Sequence, residues 1–257
     1  MDYQAEHNSK GAIFRLNRPA KLNSLTKAIW TGLADCVSEL ERRNGRYLII
    51  VGEGDRAFCA GTDLGESRGL TIEQRDAKND HARDFLFNLT QSKLITIAAI
   101  NGLAYGGGLE LAMACSFRIA LKDAKFALPE VKLGVMPTYG GTQSLVALVG
   151  AALAADLMLT GRSIGAEEAL RVGLINRVAE SDRALIDQAL ELSELLSNYS
   201  PVAMGAIRRC IAAAGSSVSP QGLSIEGREA RLVTRSEDAQ EGIAAFLEKR
   251  APIFKGC

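Results

Sequence analysis

Short apolar runs alternate with helix-spaced segments through the first two thirds of this chain. Residues 12–16, 47–51, 95–100, 117–120 and 174–178 are short, β-branched or aromatic, and bounded by Gly, Asn or charge. Those are strand signatures. Between the first two, residues 24–43 carry Leu25, Ile29, Leu33, Val37 and Leu40 at helical spacing and stop at Asn44-Gly45, a C-terminal signal. Such alternation predicts an α/β fold with a parallel or largely parallel sheet and helical crossovers.

Beyond about residue 182 the strand signal ends, and helical patterns run over 182–198, 201–213 and 236–250, with Pro201 suited to a first helical turn. The change in character near residue 195 predicts two regions: residues 1–195 as a core that carries the site, and residues 196–257 as a helical region. Residues 65–88 are strongly polar and predict either an exposed helix or a cover over a site.

Charge and cysteine usage narrow the function. Lys plus Arg and Asp plus Glu both number 30. The basic excess that phosphate neutralisation demands of a nucleic-acid-binding domain is missing. The 24–43 helix offers only Lys27 and the Arg42-Arg43 pair as cations, not a basic comb. The five cysteines are odd in number and contain no CxxC pair, which predicts reduced thiols and a cytoplasmic protein. The polar stretch of residues 1–10 carries no apolar signal core. No apolar run reaches the roughly 18 residues of a membrane span, so no membrane partner is expected.

Several motifs are decoys. Gly52-Glu53-Gly54-Asp55-Arg56-Ala57 fits GxGxxA after a strand, but Phe58-Cys59-Ala60-Gly61-Thr62 follows without helical periodicity. A dinucleotide phosphate would find no helix N-terminus there. His7 and His81 stand apart, no HExxH or metal-ligand cluster exists, and there is no GxSxG elbow. No metal site is predicted, and acid–base chemistry falls to carboxylates.

The stretch 101–115 is richer. Ile95–Ile100 runs into Gly106-Gly107-Gly108 and then a small-residue helix. Its first N–H groups are unpaired and sit at the positive helix end, suited to a developing oxyanion. Glu110 lies about one turn after Gly107 on an otherwise apolar helix, where an unpaired carboxylate is costly. A second carboxylate, Glu130, lies in Leu128-Pro129-Glu130, ahead of the glycine-marked segment Pro137-Thr138-Tyr139-Gly140-Gly141-Thr142-Gln143. If the fold brings them together, two carboxylates can divide general base and general acid roles. Spacing alone leaves that pairing open.

These residues resemble a known family. Cys59-Ala60-Gly61-Thr62-Asp63-Leu64, the triple-glycine run, Leu128-Pro129-Glu130 and Gly140-Gly141-Thr142-Gln143 are similar to motifs of the crotonase, or enoyl-CoA hydratase/isomerase, superfamily, and the likeness runs almost end to end. It implies a spiral core of repeated ββα units followed by a C-terminal helical oligomerisation region that packs in homotrimers or homohexamers. It implies an acyl-CoA thioester substrate, with coenzyme A as part of the substrate and no other cofactor. By the resemblance, the backbone amides of Thr62 and Gly107 form the oxyanion hole, and Glu110 and Glu130 are the acid/base pair of an enoyl-CoA hydratase. Ala20, Leu22, Ala60, Asp63 and Leu64 would flank the coenzyme, and Gly106, Pro137 and Tyr139 the acyl pocket. Isomerases of the family commonly lack one glutamate, whereas carnitinyl-CoA dehydratases keep both. Tyr139 replaces a small residue common near the acyl pocket, where it would shorten the pocket or bond a polar acyl group.

Overall fold

The computed structural model describes residues 1–214 and 219–257. They form two compact units, Met1–Thr90 with Leu94–Glu191, and Gln91–Lys93 with Leu192–Cys257. Among the described residues no helix is long and apolar enough to cross a membrane.

The first unit holds ten strands: β1 (Tyr3–His7), β2 (Gly11–Leu16), β3 (Tyr47–Gly52), β4 (Ala57–Cys59), β5 (Ile95–Ile100), β6 (Leu103–Tyr105), β7 (Phe117–Leu121), β8 (Lys125–Ala127), β9 (Ile164–Gly165) and β10 (Arg177–Ala179). They sort into a six-stranded sheet, β1-β2-β3-β5-β7-β10, and a four-stranded sheet, β4-β6-β8-β9. Pairing is parallel except at the β1–β2 and β8–β9 edges. From β3 to β8 successive strands alternate between the sheets, one long strand to the large sheet and the next short one to the small. Helices Ile72–Gln91 and Gly107–Ala114 follow two of these pairs. This is the repeated ββα pattern expected above.

Physical chemistry explains the central strands. β3 (YLIIVG) and β5 (ITIAAI) are buried along their whole length, so they read as continuous apolar runs, as strands covered on both faces do. Buried Asn101 ties their ends together. Its Nδ2 donates to the carbonyls of Gly52 (2.8 Å) and Gly54 (2.6 Å), and its Oδ1 accepts from Gly52 N (3.1 Å). Helix Lys27–Arg42 begins where the Thr26 hydroxyl accepts from Ile29 N–H, and it buries Ile29, Leu33, Cys36 and Leu40.

One expectation needs correction. The strand read over 174–178 is instead Arg177–Ala179. Leu174 and Ile175 are buried in the turn that ends helix Ala166–Arg171, where Leu174 N donates to Ala169 O and Gly173 takes φ 81°. Apolar residues that close a helix end mimic a short strand. The polar segment 65–88 is largely the helix Ile72–Gln91, held by Ala82, Leu86 and Leu89, whose buried stripe lies hidden among charges.

In the second unit, helices Pro201–Ala213, Pro220–Thr234 and Glu237–Glu248 are capped by Ser200, Ser219 and Ser236, each accepting from the N–H three residues on. The middle helix was absent from the sequence reading because Gly222 and Gly227 weaken its helical signal. Buried Asp238 accepts from the Ser200 hydroxyl (2.7 Å) and from the amides of Lys255 (2.7 Å) and Gly256 (3.1 Å), which fastens the tail.

Candidate active site

Three parallel strands of the small sheet end side by side. β4 leads into Ala60-Gly61-Thr62, β6 into Gly106-Gly107, and β8 into Leu128-Pro129-Glu130. The crevice beyond the carboxyl ends of parallel strands is where open α/β sheets bind ligands, and here it receives three segments far apart in sequence.

Two backbone amides face this crevice unpaired. Thr62 forms an isolated parallel bridge with Leu25 in which Leu25 N donates to Gly61 O (2.8 Å) and Asp63 N donates to Leu25 O (2.9 Å). The Thr62 N–H therefore points away from the pairing. Gly107 is the first residue of its helix, so its N–H has no partner within the helix. Among the described residues neither amide has an acceptor. The two segments lie side by side, since a Cβ on Gly61 would sit 3.3 Å from Gly107 N.

Glu110 projects from a helix whose residues are all buried, and is itself only 3% exposed. Its Oε1 accepts from Tyr139 N and Gly141 N, both at 2.8 Å. Gly141 is required there, because a Cβ would come within 2.8 Å of that oxygen. Burial nevertheless dominates and lifts the carboxyl to about 7, against the lowering effect of the Gly141 and Tyr139 amides and with a further push from the charge of Glu130. Glu130 opens the short turn Glu130–Leu133. Burial also raises its carboxyl above the ordinary range, and its Oε2 is sealed from solvent without a hydrogen-bond partner. Two carboxyls with raised proton affinity thus share one site.

Both carboxylates line a cavity of about 780 Å³ together with Thr62, Gly106, Gly107 and Tyr139. Ala60 and Leu64 line it as well. Pro137 is buried outside its lining. Asp63 is also outside it: its carboxylate pairs with Arg18 (2.7 Å) and caps helix Leu64–Ser67 at Gly65 N (2.8 Å), and the Arg18 guanidinium holds that carboxyl below its usual range. Leu22 touches the site region through its carbonyl, which accepts from Ala60 N (2.9 Å), while Ala20 is exposed.

Sequence reasoning passed over three features of this cavity. Arg68, Arg75 and Lys78 line it, although they read as ordinary charges in a polar stretch. The amides that hold Glu110 belong to backbone and leave no mark in residue type. The Tyr139 hydroxyl lies 2.7 Å from Thr62 Oγ1, a pairing that no spacing rule joins.

A family model described as enoyl-CoA hydratase/isomerase matches residues 6–257. The chain belongs to that family. Among enoyl-CoA hydratase/isomerase relatives, a protein of Mycobacterium bovis named as a probable enoyl-CoA hydratase is 39% identical over 252 residues, covering 97% of this chain and 96% of that one. An Escherichia coli protein named 2,3-dehydroadipyl-CoA hydratase is 37% identical over 95% of this chain and 94% of its own. The crystal structure of enoyl-CoA hydratase from Bacillus anthracis superposes with a TM-score of 0.92 at 35% identity, covering 100% of each chain. The crotonase-type spiral expected from the family motifs is the fold of this chain.

Proposed function

We propose that this protein is an enoyl-CoA hydratase, adding water across the 2,3-double bond of a trans-2-enoyl-CoA to give a 3-hydroxyacyl-CoA. One observation carries the reading: a buried and a half-buried carboxyl, both with raised proton affinity, face a cavity whose wall also presents two unpaired backbone N–H groups. The names of the relatives at 37–39% identity support it.

In this mechanism the thioester oxygen sits against the amides of Thr62 and Gly107. Negative charge gathers on that oxygen as water attacks C3, and fixed donors stabilise it; one such donor is typically worth about 3 kcal/mol. Glu110 uses Oε1 for the Tyr139 and Gly141 amides and keeps Oε2 for water. With a carboxyl near 7 it is substantially ionised at neutral pH and accepts the water proton as hydroxide oxygen bonds to C3. Glu130, whose protonated form burial favours, delivers its proton to C2. Exchange with solvent restores both carboxyls. The atoms balance with water and the thioester alone, so the step calls for no metal or redox group, and coenzyme A enters as part of the substrate.

The same reading places the protein in a homo-oligomer, a trimer or a hexamer, and in the cytoplasm. Phe246 and Leu247 on helix Glu237–Glu248 are 82% and 74% exposed, and a face of that kind fits a subunit contact.

The test is the ultraviolet absorbance of trans-2-enoyl-CoA thioesters with the purified protein, with products identified by mass spectrometry. Loss of the conjugated signal with a 3-hydroxyacyl-CoA formed is expected. A shifted double bond with no water added would overturn hydration in favour of isomerisation.

A further inference from the structure

Tyr139 reaches three parts of the site at once. Its amide holds Glu110, its hydroxyl lies 2.7 Å from Thr62 Oγ1, and its ring lies against Gly107, where an added Cβ would meet Cε2 at 2.8 Å. Outside the cavity the ring is backed edge-on by Trp30 at 5.7 Å, and Trp30 is backed in turn by Phe85 at 5.7 Å. The side chain is 5% exposed. Burial raises the phenol above its ordinary range, so it is neutral at working pH and bonds as a hydroxyl.

A ring fixed on one edge by aromatic packing and at its tip by a hydrogen bond cannot turn aside for a ligand. Rotating it away would break the Thr62 bond and push into Trp30 or Gly107. Both Thr62 and Tyr139 line the cavity beside the two unpaired amides, so the stiff pair borders the space in which the acyl group must lie. The phenol hydroxyl is already engaged with Thr62, which favours bulk over a polar contact as its effect on the acyl group.

We propose that Tyr139, locked by the Thr62 hydroxyl, is the specificity-determining wall of this site and restricts it to short enoyl thioesters. The inference rests on the hydratase reading and deepens it by naming the substrate class. Hydrophobic pockets discriminate by about tenfold or more per excluded group when the wall is rigid, so the unmodified protein should prefer crotonyl-CoA to decenoyl-CoA by at least about tenfold in kcat/KM.

The test compares the unmodified protein with Tyr139→Phe, Tyr139→Leu and Tyr139→Ala on crotonyl-, hexenoyl- and decenoyl-CoA. In parallel, calorimetry measures the affinities of butyryl- and decanoyl-CoA, which report the wall without turnover. Tyr139→Ala and Tyr139→Leu should lower the short-to-long preference by about tenfold, mainly through KM for the long thioester, and should tighten decanoyl-CoA relative to butyryl-CoA. Tyr139→Phe keeps the ring but loses the Thr62 bond, so it should keep the rank order with a softer cutoff. If the aliphatic variants fold and their preference and relative affinities match the parent, the wall is refuted. A parent that already binds decanoyl-CoA as well as butyryl-CoA would refute it equally. Absence of hydration across the whole panel would instead overturn the activity, and the calorimetric ratios would still judge the wall.

Discussion

Replacing Glu110 with Gln should abolish most turnover while making the protein more stable at neutral and alkaline pH. The sign follows from proton linkage. Burial raises the Glu110 carboxyl from the ordinary 4.5 to about 7. Between those values the folded chain holds a proton that the unfolded chain has released. Stability supplied by the protonated group is therefore fully present below about pH 4.5 and is lost as pH rises through about 7. At about 1.4 kcal/mol per pH unit, the loss approaches ~3 kcal/mol. Glutamine carries no charge to bury, and its Oε1 can still accept from the Tyr139 and Gly141 amides. Its new NH₂ group faces the cavity, which offsets about 1 kcal/mol of the gain. Urea unfolding of both proteins at equal concentration, from about pH 4 to about pH 9, measures the difference. The gap should open between about pH 4.5 and pH 7 and level at about 1–3 kcal/mol in favour of Gln. A gap that stays constant with pH, or that favours Glu at high pH, would refute the claim that desolvation governs this carboxyl.

Glu130→Gln should lower kcat by at least about a hundredfold with little change in thioester affinity, because it deletes proton delivery and leaves the pocket; steady-state kinetics with calorimetry on a saturated acyl-CoA checks this. Gly141→Ala places a Cβ 2.8 Å from Glu110 Oε1, so turnover should fall about tenfold or more with the fold retained, as read by kinetics and circular dichroism together. The pH profile of kcat/KM, read from initial rates, should rise through a limb near 7 as Glu110 ionises; a flat profile would count against that assignment. Asn101→Ala removes two buried hydrogen bonds and one part-buried one and strands the Gly52 backbone groups, which should cost about 2–4 kcal/mol in denaturant unfolding.

The long buried strands and the amphipathic helix Lys27–Arg42 were legible because their signals are local. Ile95–Ile100 is apolar throughout, and helix Lys27–Arg42 repeats its buried face every turn. The small sheet was not legible. Ala57–Cys59, Leu103–Tyr105 and Lys125–Ala127 are three residues each, too short for an alternation to show, and they pair with segments distant in sequence. The candidate site divides the same way. Glu110 and the Gly107 helix start stand out as a carboxylate and glycines in an apolar setting, whereas the meeting of Glu110 with Glu130 depends on strand register. Tyr139 was visible as an unusual residue, but its bond to Thr62 and its amide contact with Glu110 arise only from tertiary packing.

The side-by-side ends of β4, β6 and β8 have a consequence for how activity appears during folding. Thr62, Gly107 and Glu130 become neighbours only when three successive turns of the spiral have paired, and such non-local pairing forms late compared with helices and tight turns. A one-residue slip of β8 against β6 would carry Glu130 about 3.3 Å along the strand direction and reverse its face. A chain emerging from synthesis would thus have no partial activity to lose or leak. Enzymatic turnover would report on strand alignment in this protein as directly as any spectroscopic probe.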